Sequence, residues 1–317
     1  MTADIRPVCV VVQPIAEAGL VLLREAGLRV HVAPVPDFGK MAPHLAAASA
    51  AITRNRGFPA TAMAAAPRLR VIGSHGAGTD TIDKAEAAAR SIRIVNTPGE
   101  NARSVAELTM GLILATARGI AFGDRAVRQG ETGFRERSPG LELAGLTLGL
   151  VGFGHVARHV APMARAFGLQ VVGFSRAASV DEMRMAGIVP AASLDGLLAM
   201  ADIISLHAVG GSPAMIGARE FSLMKPGAIL VNTARGSLVD EGALADALGT
   251  KHVRAAALDV TEIEPLPASS PLLGAPNLIL TPHLGGSTEA ALERTSLAVA
   301  RKVLDALADC GVLERRR

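Results

Sequence analysis

The sequence predicts an α/β protein built from two doubly wound parallel sheets. Three observations carry the prediction. Short runs rich in Val, Ile and Ala alternate with alanine-rich helical stretches along all 317 residues. The alternation falls into two series, and the second opens on a strand, a glycine turn and a helix. Strand and helix in alternation give parallel sheets joined by right-handed crossovers. The first series places strands near Val8, Leu28, Ala51, Val71 and Ile92. The second begins at Leu146 and continues near Val171, Ile203, Ile229, Ala255 and Leu278. A long apolar helix, from about Asn101 to Arg118, falls between them, and a final helix runs from about Ser287 to Leu307.

The stretch "GLVGFGHVARHVAPMARAFGLQVVGFSR", residues 149–176, carries the first chemical signal. Gly152, Gly154 and Ala157 form G-x-G-x-x-A. The first small residue permits a tight turn, the second lets a pyrophosphate approach the backbone, and the third packs helix on strand. The helix that starts at His155-Val156 offers free N–H groups to that pyrophosphate. Both sheets are therefore expected to be Rossmann-like. The expected domains are a substrate (catalytic) domain, residues 1–98 and 287–317, and a dinucleotide-binding domain, residues 99–286, inserted into it. Sites in such proteins lie in clefts, and the cleft between the domains is where the active site is expected.

An acid about 20 residues after the glycines would bind a ribose 2′-OH and repel a 2′-phosphate. Ser175-Arg176 stands there instead. A hydroxyl can hydrogen-bond a phosphate and a guanidinium can neutralise it, so NADP(H) is favoured over NAD(H), which stays possible. The alternative is that Arg176 is one more surface arginine in a chain whose 32 basic residues include five lysines.

Composition removes several classes. Half of the residues are apolar, which excludes a disordered chain. The apolar stretches at 108–117 and 143–153 are too short or too glycine-rich to cross a bilayer. The N-terminus runs past Asp4 and Arg6 into Val8 without the pattern of a signal peptide, so a cytoplasmic protein is expected. Cys9 and Cys310 make neither a disulfide framework nor a metal site. A net charge of +3 with no Trp or Tyr argues against nucleic acid as partner. The terminal "ERRR" reads as a solvated, frayed end. His155 and His159 are spaced i, i+4, but no third ligand is evident and no metal is assigned.

In α/β sheets chemistry gathers beyond the carboxyl ends of strands. "AILVNTARGSLVDEGAL" leaves its strand at Asn232 and presents Arg235. "AAALDVTEIEPLP" leaves at Asp259 and presents Glu264. "LILTPHLGGST" leaves at Thr281 and presents His283. Arginine can grip a carboxylate with two donors, histidine can exchange a proton near neutral pH, and a carboxylate can orient the imidazole and favour its charged form. Singly, each has a plainer reading: a helix cap, a loop acid, a backbone hydrogen bond.

Together these pieces, with "RLRVIGSHGAGTDTID", "VNTPGENARSVAELTMGLILA" and "LGLVGFGHVA", resemble the D-isomer-specific 2-hydroxyacid dehydrogenases from about Ala51 to Ser287. The resemblance implies that Arg235, Glu264 and His283 are catalytic and that Asp259 is the acid on the nicotinamide side. It implies a substrate-carboxylate loop at His75, Gly76, Ala77 and Gly78, and cofactor contacts from His207 and Thr233. The glycines at 73, 76 and 78 suit close approach of backbone to a ligand. Four departures from the family pattern are His155-Val156 after the glycines, the His155/His159 pair, "AVGGSPAMIG" after His207, and Ser175-Arg176.

The expected reaction is hydride transfer between NADP(H) or NAD(H) and a small 2-oxo or 2-hydroxy acid, with glyoxylate or hydroxypyruvate favoured. A phosphoglycerate dehydrogenase-like enzyme is second. Arg54 and Arg56 could bind a further anionic group of the substrate, or could be surface residues. A regulatory C-terminal domain found in some phosphoglycerate dehydrogenases is not expected. From another class, a non-catalytic dinucleotide-sensing scaffold stays open, because such proteins can retain the triad. Formate oxidation is disfavoured, because the family's formate enzymes lack the glutamate that Glu264 supplies. A homodimer is expected through the helix at Asn101–Arg118, with no membrane or nucleic-acid partner.

Overall fold

The computed structural model describes residues 6–314; Asp4 and the terminal Arg315, Arg316 and Arg317 lie outside the described residues. The chain forms two compact units, residues 102–285 and the combination of 1–101 with 286–317. The first elements are β1 (Val8–Val11), α1 (Glu17–Glu25), β2 (Arg29–Val32), α2 (Phe38–Leu45), β3 (Ala48–Thr53), α3 (Ala60–Ala64), β4 (Val71–Ser74), α4 (Lys84–Ala89) and β5 (Arg93–Asn96). Then follow α5 (Ala102–Arg118), α6 (Ile120–Arg128), α7 (Phe134–Arg137), β6 (Thr147–Val151), α8 (His155–Ala166), β7 (Gln170–Phe174), α9 (Val180–Met185), β8 (Val189–Pro190) and α10 (Leu194–Met200). The chain continues through β9 (Ile203–Leu206), α11 (Ala218–Leu223), β10 (Ala228–Asn232), α12 (Glu241–Gly249), β11 (Val253–Leu258), β12 (Leu278–Leu280) and α13 (Glu289–Asp309).

Both sheets are wholly parallel and doubly wound, as the sequence predicts. The sheet of the discontinuous unit has the order β2-β1-β3-β4-β5. Its helix α13 lies against α1 and β4. Gly73 permits this contact, because a Cβ there would stand 2.7 Å from Val303 and 2.8 Å from Val299. The other sheet has the order β12-β11-β10-β9-β6-β7-β8. Its central strands β9 and β10 are buried along their whole length, as strands covered by helices on both faces must be. The strand order reverses between β6 and β9, the place where open α/β sheets bind ligands.

Side-chain caps fix where the helices begin. Asp240 accepts from Ala243 N–H at the start of α12 and Thr288 from Ala291 N–H at the start of α13. Two elements were beyond the periodicity: β8, a two-residue strand ending on Pro190, and the exposed helix α6. Helix α5 is apolar as expected, but it buries Ala102, Val105, Ala106, Met110, Leu112 and Ile113 inside its own unit, against α8, β10 and β11. Its exposed positions are Arg103, Glu107, Gly111 and Arg118. No single helix among the described residues is long and apolar enough to cross a membrane.

Candidate active site

The strand ends of the 102–285 unit bring the three sequence-predicted side chains into one construction. His283 follows β12 with a φ of +55°, a left-handed conformation uncommon outside glycine. The buried Asp259 at the end of β11 holds it there. Its Oδ1 accepts from Thr281 Oγ1 at 2.6 Å and from Leu284 N–H at 2.7 Å, while Oδ2 accepts from Gly285 N–H at 2.8 Å. The His283 N–H itself donates to the Asp259 carbonyl at 2.9 Å. The carboxylate of Asp259 is thus engaged by the His283 loop.

His283 Nδ1 lies 2.8 Å from Glu264 Oε2. Burial alone would raise the Glu264 carboxyl. The His283 hydrogen bond and charge, the Thr261 N–H and the Arg235 charge outweigh it and hold the group below its ordinary range. Glu264 is therefore ionised throughout the neutral range and can only accept. Nδ1 must carry the proton, which leaves Nε2 to exchange one with a substrate.

Arg235 follows β10 with an extended backbone, and its Nη1 donates to the Ala234 carbonyl at 2.7 Å. Gly236 explains how this loop reaches the Glu264 loop. A Cβ there would overlap the Thr261 carbonyl group, so only glycine lets the two backbones touch.

The glycine turn after β6 fits a dinucleotide. Gly152 has a φ of +96°, and a Cβ on it would lie 2.7 Å from the backbone of His207 and Ala208. Gly154 has no atom within 4 Å of its Cβ position, so the approach there is open. Ala157 is buried, and no side chain caps the start of α8, which leaves the N–H groups of His155, Val156 and Ala157 for an anion. His207 is held by Ser205 Oγ, 2.9 Å from Nε2, and burial pushes it down to about 4, so it is neutral at pH 7. Thr109 donates its hydroxyl proton to the Val105 carbonyl at 2.8 Å. Thr233, 2.8 Å from Thr109 Oγ1, must donate to it and keeps only lone pairs for a ligand.

At the far end of the fold's phosphate-binding strand-turn-helix, Ser175 Oγ accepts from Ala177 N–H at 3.2 Å and Ala178 N–H at 3.0 Å. Arg176 is exposed and lines a cavity of about 330 Å³ with Val209, Gly210, Ser212, Pro213 and Met215. Among the described residues no group of three or more His, Cys, Asp or Glu could hold a metal ion.

A profile described as the D-isomer specific 2-hydroxyacid dehydrogenase, NAD binding domain, matches residues 110–285, more than half of the chain. The chain belongs to that family. D-3-phosphoglycerate dehydrogenase of Methanocaldococcus jannaschii is 42% identical to this 2-hydroxyacid dehydrogenase family member over 241 residues, 75% of this chain and 45% of its own. The chain spans about half the length of the curated relatives it matches. Among solved structures, the TT0316 protein from Thermus thermophilus superimposes with a TM-score of 0.84 at 35% identity, covering 95% of this chain and 97% of the other. A glyoxylate reductase from Paecilomyes thermophila gives 0.83 at 29% identity, covering 98% and 97%.

In the unit formed by residues 1–101 and 286–317, this family member carries the His75–Gly78 loop after β4. Three of its carbonyls are tied inward: Gly76 O accepts from Thr97 N–H at 2.9 Å, Ala77 O from Asn96 Nδ2 at 2.7 Å and Gly78 O from Ser74 Oγ at 2.6 Å. Gly76, at a φ of +145°, makes the turn that only glycine adopts readily. The N–H groups of Ala77 and Gly78 have no hydrogen-bond partner among the described residues, which leaves both available to a ligand. His75 is instead tied to the buried Ser296 of α13, Nε2 to Oγ at 2.9 Å. Burial, then the nearby charge of Arg54, push His75 down to about 4. Arg54 Nη1 donates to the Pro14 carbonyl at 3.2 Å, and Arg56 is exposed.

Sequence reasoning missed Thr109, Ser205 and Ser296. Each is a common polar residue whose partner is identified only in three dimensions; Ser296 stands 221 positions from His75.

Proposed function

We propose that the protein reduces a small 2-oxo acid to the 2-hydroxy acid, and runs the reverse reaction, with NADP(H) favoured and NAD(H) possible. The 2.8 Å contact between His283 and an ionised Glu264 carries this reading. A bound nicotinamide supplies or receives the hydride. His283 gives its Nε2 proton to the substrate oxygen while Glu264 keeps Nδ1 fixed and balances the imidazolium charge. Arg235 binds the substrate carboxylate and polarises the carbonyl; in the unit formed by residues 1–101 and 286–317 the N–H groups of Ala77 and Gly78 are the candidate anion donors. Asp259 acts on the nicotinamide side and through the loop that carries His283.

Glyoxylate or hydroxypyruvate is the favoured substrate. A phosphorylated three-carbon acid is the second reading, favoured by the charge of Arg54 beside His75 and by the phosphoglycerate dehydrogenases among the relatives. Initial rates with glyoxylate, hydroxypyruvate and phosphohydroxypyruvate, each with NADPH and NADH, test the proposal. No turnover with any pair would overturn it in favour of a dinucleotide-sensing scaffold.

Arg176 supports the cofactor preference: it has no hydrogen-bond or ion-pair partner among the described residues, and its cavity has no carboxylate in its lining. Ser175 keeps its hydroxyl proton for a phosphate oxygen. Ser175→Asp with Arg176→Ala is expected to shift the ratio of kcat/KM for NADPH over NADH towards NADH by about tenfold or more, the worth of one charge-assisted contact. An unchanged ratio would assign the 2′-phosphate to other residues.

The same reading places the chain in the cytoplasm. Cys9 is buried, with its thiol pushed up to about 12 by burial, and no disulfide joins it to the exposed Cys310, which fits a reducing compartment. It also places the chain in a homodimer. Since α5 is covered within its own unit, the better candidate surface is the neighbouring α6, where Ile120 is 57% and Val127 80% exposed. A monomeric mass in solution would refute the dimer.

A further inference from the structure

Asn232 ends β10 and is fully buried. Its Oδ1 accepts from Ala234 N–H at 3.0 Å, and its Nδ2 donates to the Arg235 carbonyl at 2.8 Å. One partner is a backbone donor and the other a backbone acceptor, so the amide has a single workable orientation. Its own carbonyl accepts from Asp259 N–H at 2.9 Å, which joins the end of β10 to the end of β11. One residue therefore fixes the backbone on both sides of Ala234 and ties it to the strand that leads to Glu264. Gly236 then lays the same loop on the Thr261 backbone. A half-satisfied buried amide is costly, so this loop has no cheap alternative conformation.

We infer that Asn232 is the positioning residue of Arg235: its side-chain amide sets the backbone from which the guanidinium is presented to the substrate carboxylate. It touches no substrate and acts through Arg235. The inference rests on the proposed function, because the carboxylate-binding role of Arg235 belongs to that reading.

Asn232→Asp is the decisive variant. It keeps the shape and the acceptor for Ala234 N–H, but places a second acceptor against the Arg235 carbonyl. Purified at pH 5.5 and assayed at pH 8, it is expected to lose at least about tenfold in kcat/KM, the scale of one charged hydrogen bond. The loss is expected to lie chiefly in KM for the 2-oxo acid, with KM for the cofactor within about twofold of wild type. Burial raises a carboxyl pKa, and the protonated acid restores an O–H donor at the same place. The deficit relative to wild type at equal pH is therefore expected to shrink between pH 8 and pH 5.5. A purely structural role would lower Tm and raise KM for the cofactor and for the oxo acid alike, so the split between the two KM values separates it from positioning of Arg235.

An oxo-acid KM within twofold of wild type at pH 8, or a deficit independent of pH, would overturn the inference. Should the wild-type protein reduce no 2-oxo acid, the functional reading fails by itself. Amide exchange at Ala234 in Asn232→Ala then still decides the brace: faster exchange supports it and unchanged exchange overturns it.

Discussion

His283→Ala is expected to lower the rate of 2-oxo acid reduction by roughly 10²-fold or more, the contribution of a positioned general acid. The substitution removes the proton donor and leaves Glu264, which is ionised and has no proton to give at neutral pH. His283 also has a positive φ, so an effect of the backbone has to be separated from that of the imidazole. Asn tolerates this conformation better than other side chains with a Cβ. His283→Asn is therefore expected to fold as the wild type does and to lose activity like the alanine variant. Steady-state kinetics and thermal unfolding of both variants check this. Wild-type turnover in His283→Asn would reduce the residue to a turn former.

Gly236→Ala is the second large effect. The methyl group would enter the space of the Thr261 carbonyl, and backbone on both sides leaves no flexible side chain to yield. Either the Arg235 loop or the Glu264 loop must move, and misplacement by about 1 Å can cost about 10²-fold in rate. The expected result is a loss of that size in kcat/KM together with a lower Tm, because overpacking costs about 1–3 kcal/mol. Gly249→Ala, where an added Cβ meets nothing within 4 Å, is the silent control. Equal behaviour of the two variants would mean that the loop contact does not shape the site.

Much of the fold was legible because parallel strands covered on both faces read as short continuous apolar runs between helices. β9 and β10 are of this kind. β8 was not, since two residues ending on Pro190 leave no period to read. The apolar character of α5 was legible, but composition cannot tell a face buried on α8, β10 and β11 from one awaiting a second chain.

The candidate side chains of the site were visible for a different reason. Arg235, Glu264 and His283 stand just beyond successive strands, where α/β sheets place ligands. Their supports were invisible. Asn232 reads only as a strand end and nothing in the sequence pattern marks Thr109 or Gly236, since the role of each depends on partners in other elements. The family resemblance implies for Asp259 a place on the nicotinamide side; its grip on Thr281, Leu284 and Gly285 could not be read from spacing.

In the proposed mechanism the Glu264–His283 pair delivers the proton. The most direct measurement is the pH dependence of kcat/KM for oxo-acid reduction in wild type and in Glu264→Gln. The Glu264 carboxyl is held below its ordinary range, so its negative charge is present across the neutral range in the wild type. The amide removes that charge from beside the imidazolium. The expected result is a profile displaced to lower pH and a lower rate at pH 7. Superimposable profiles would contradict it.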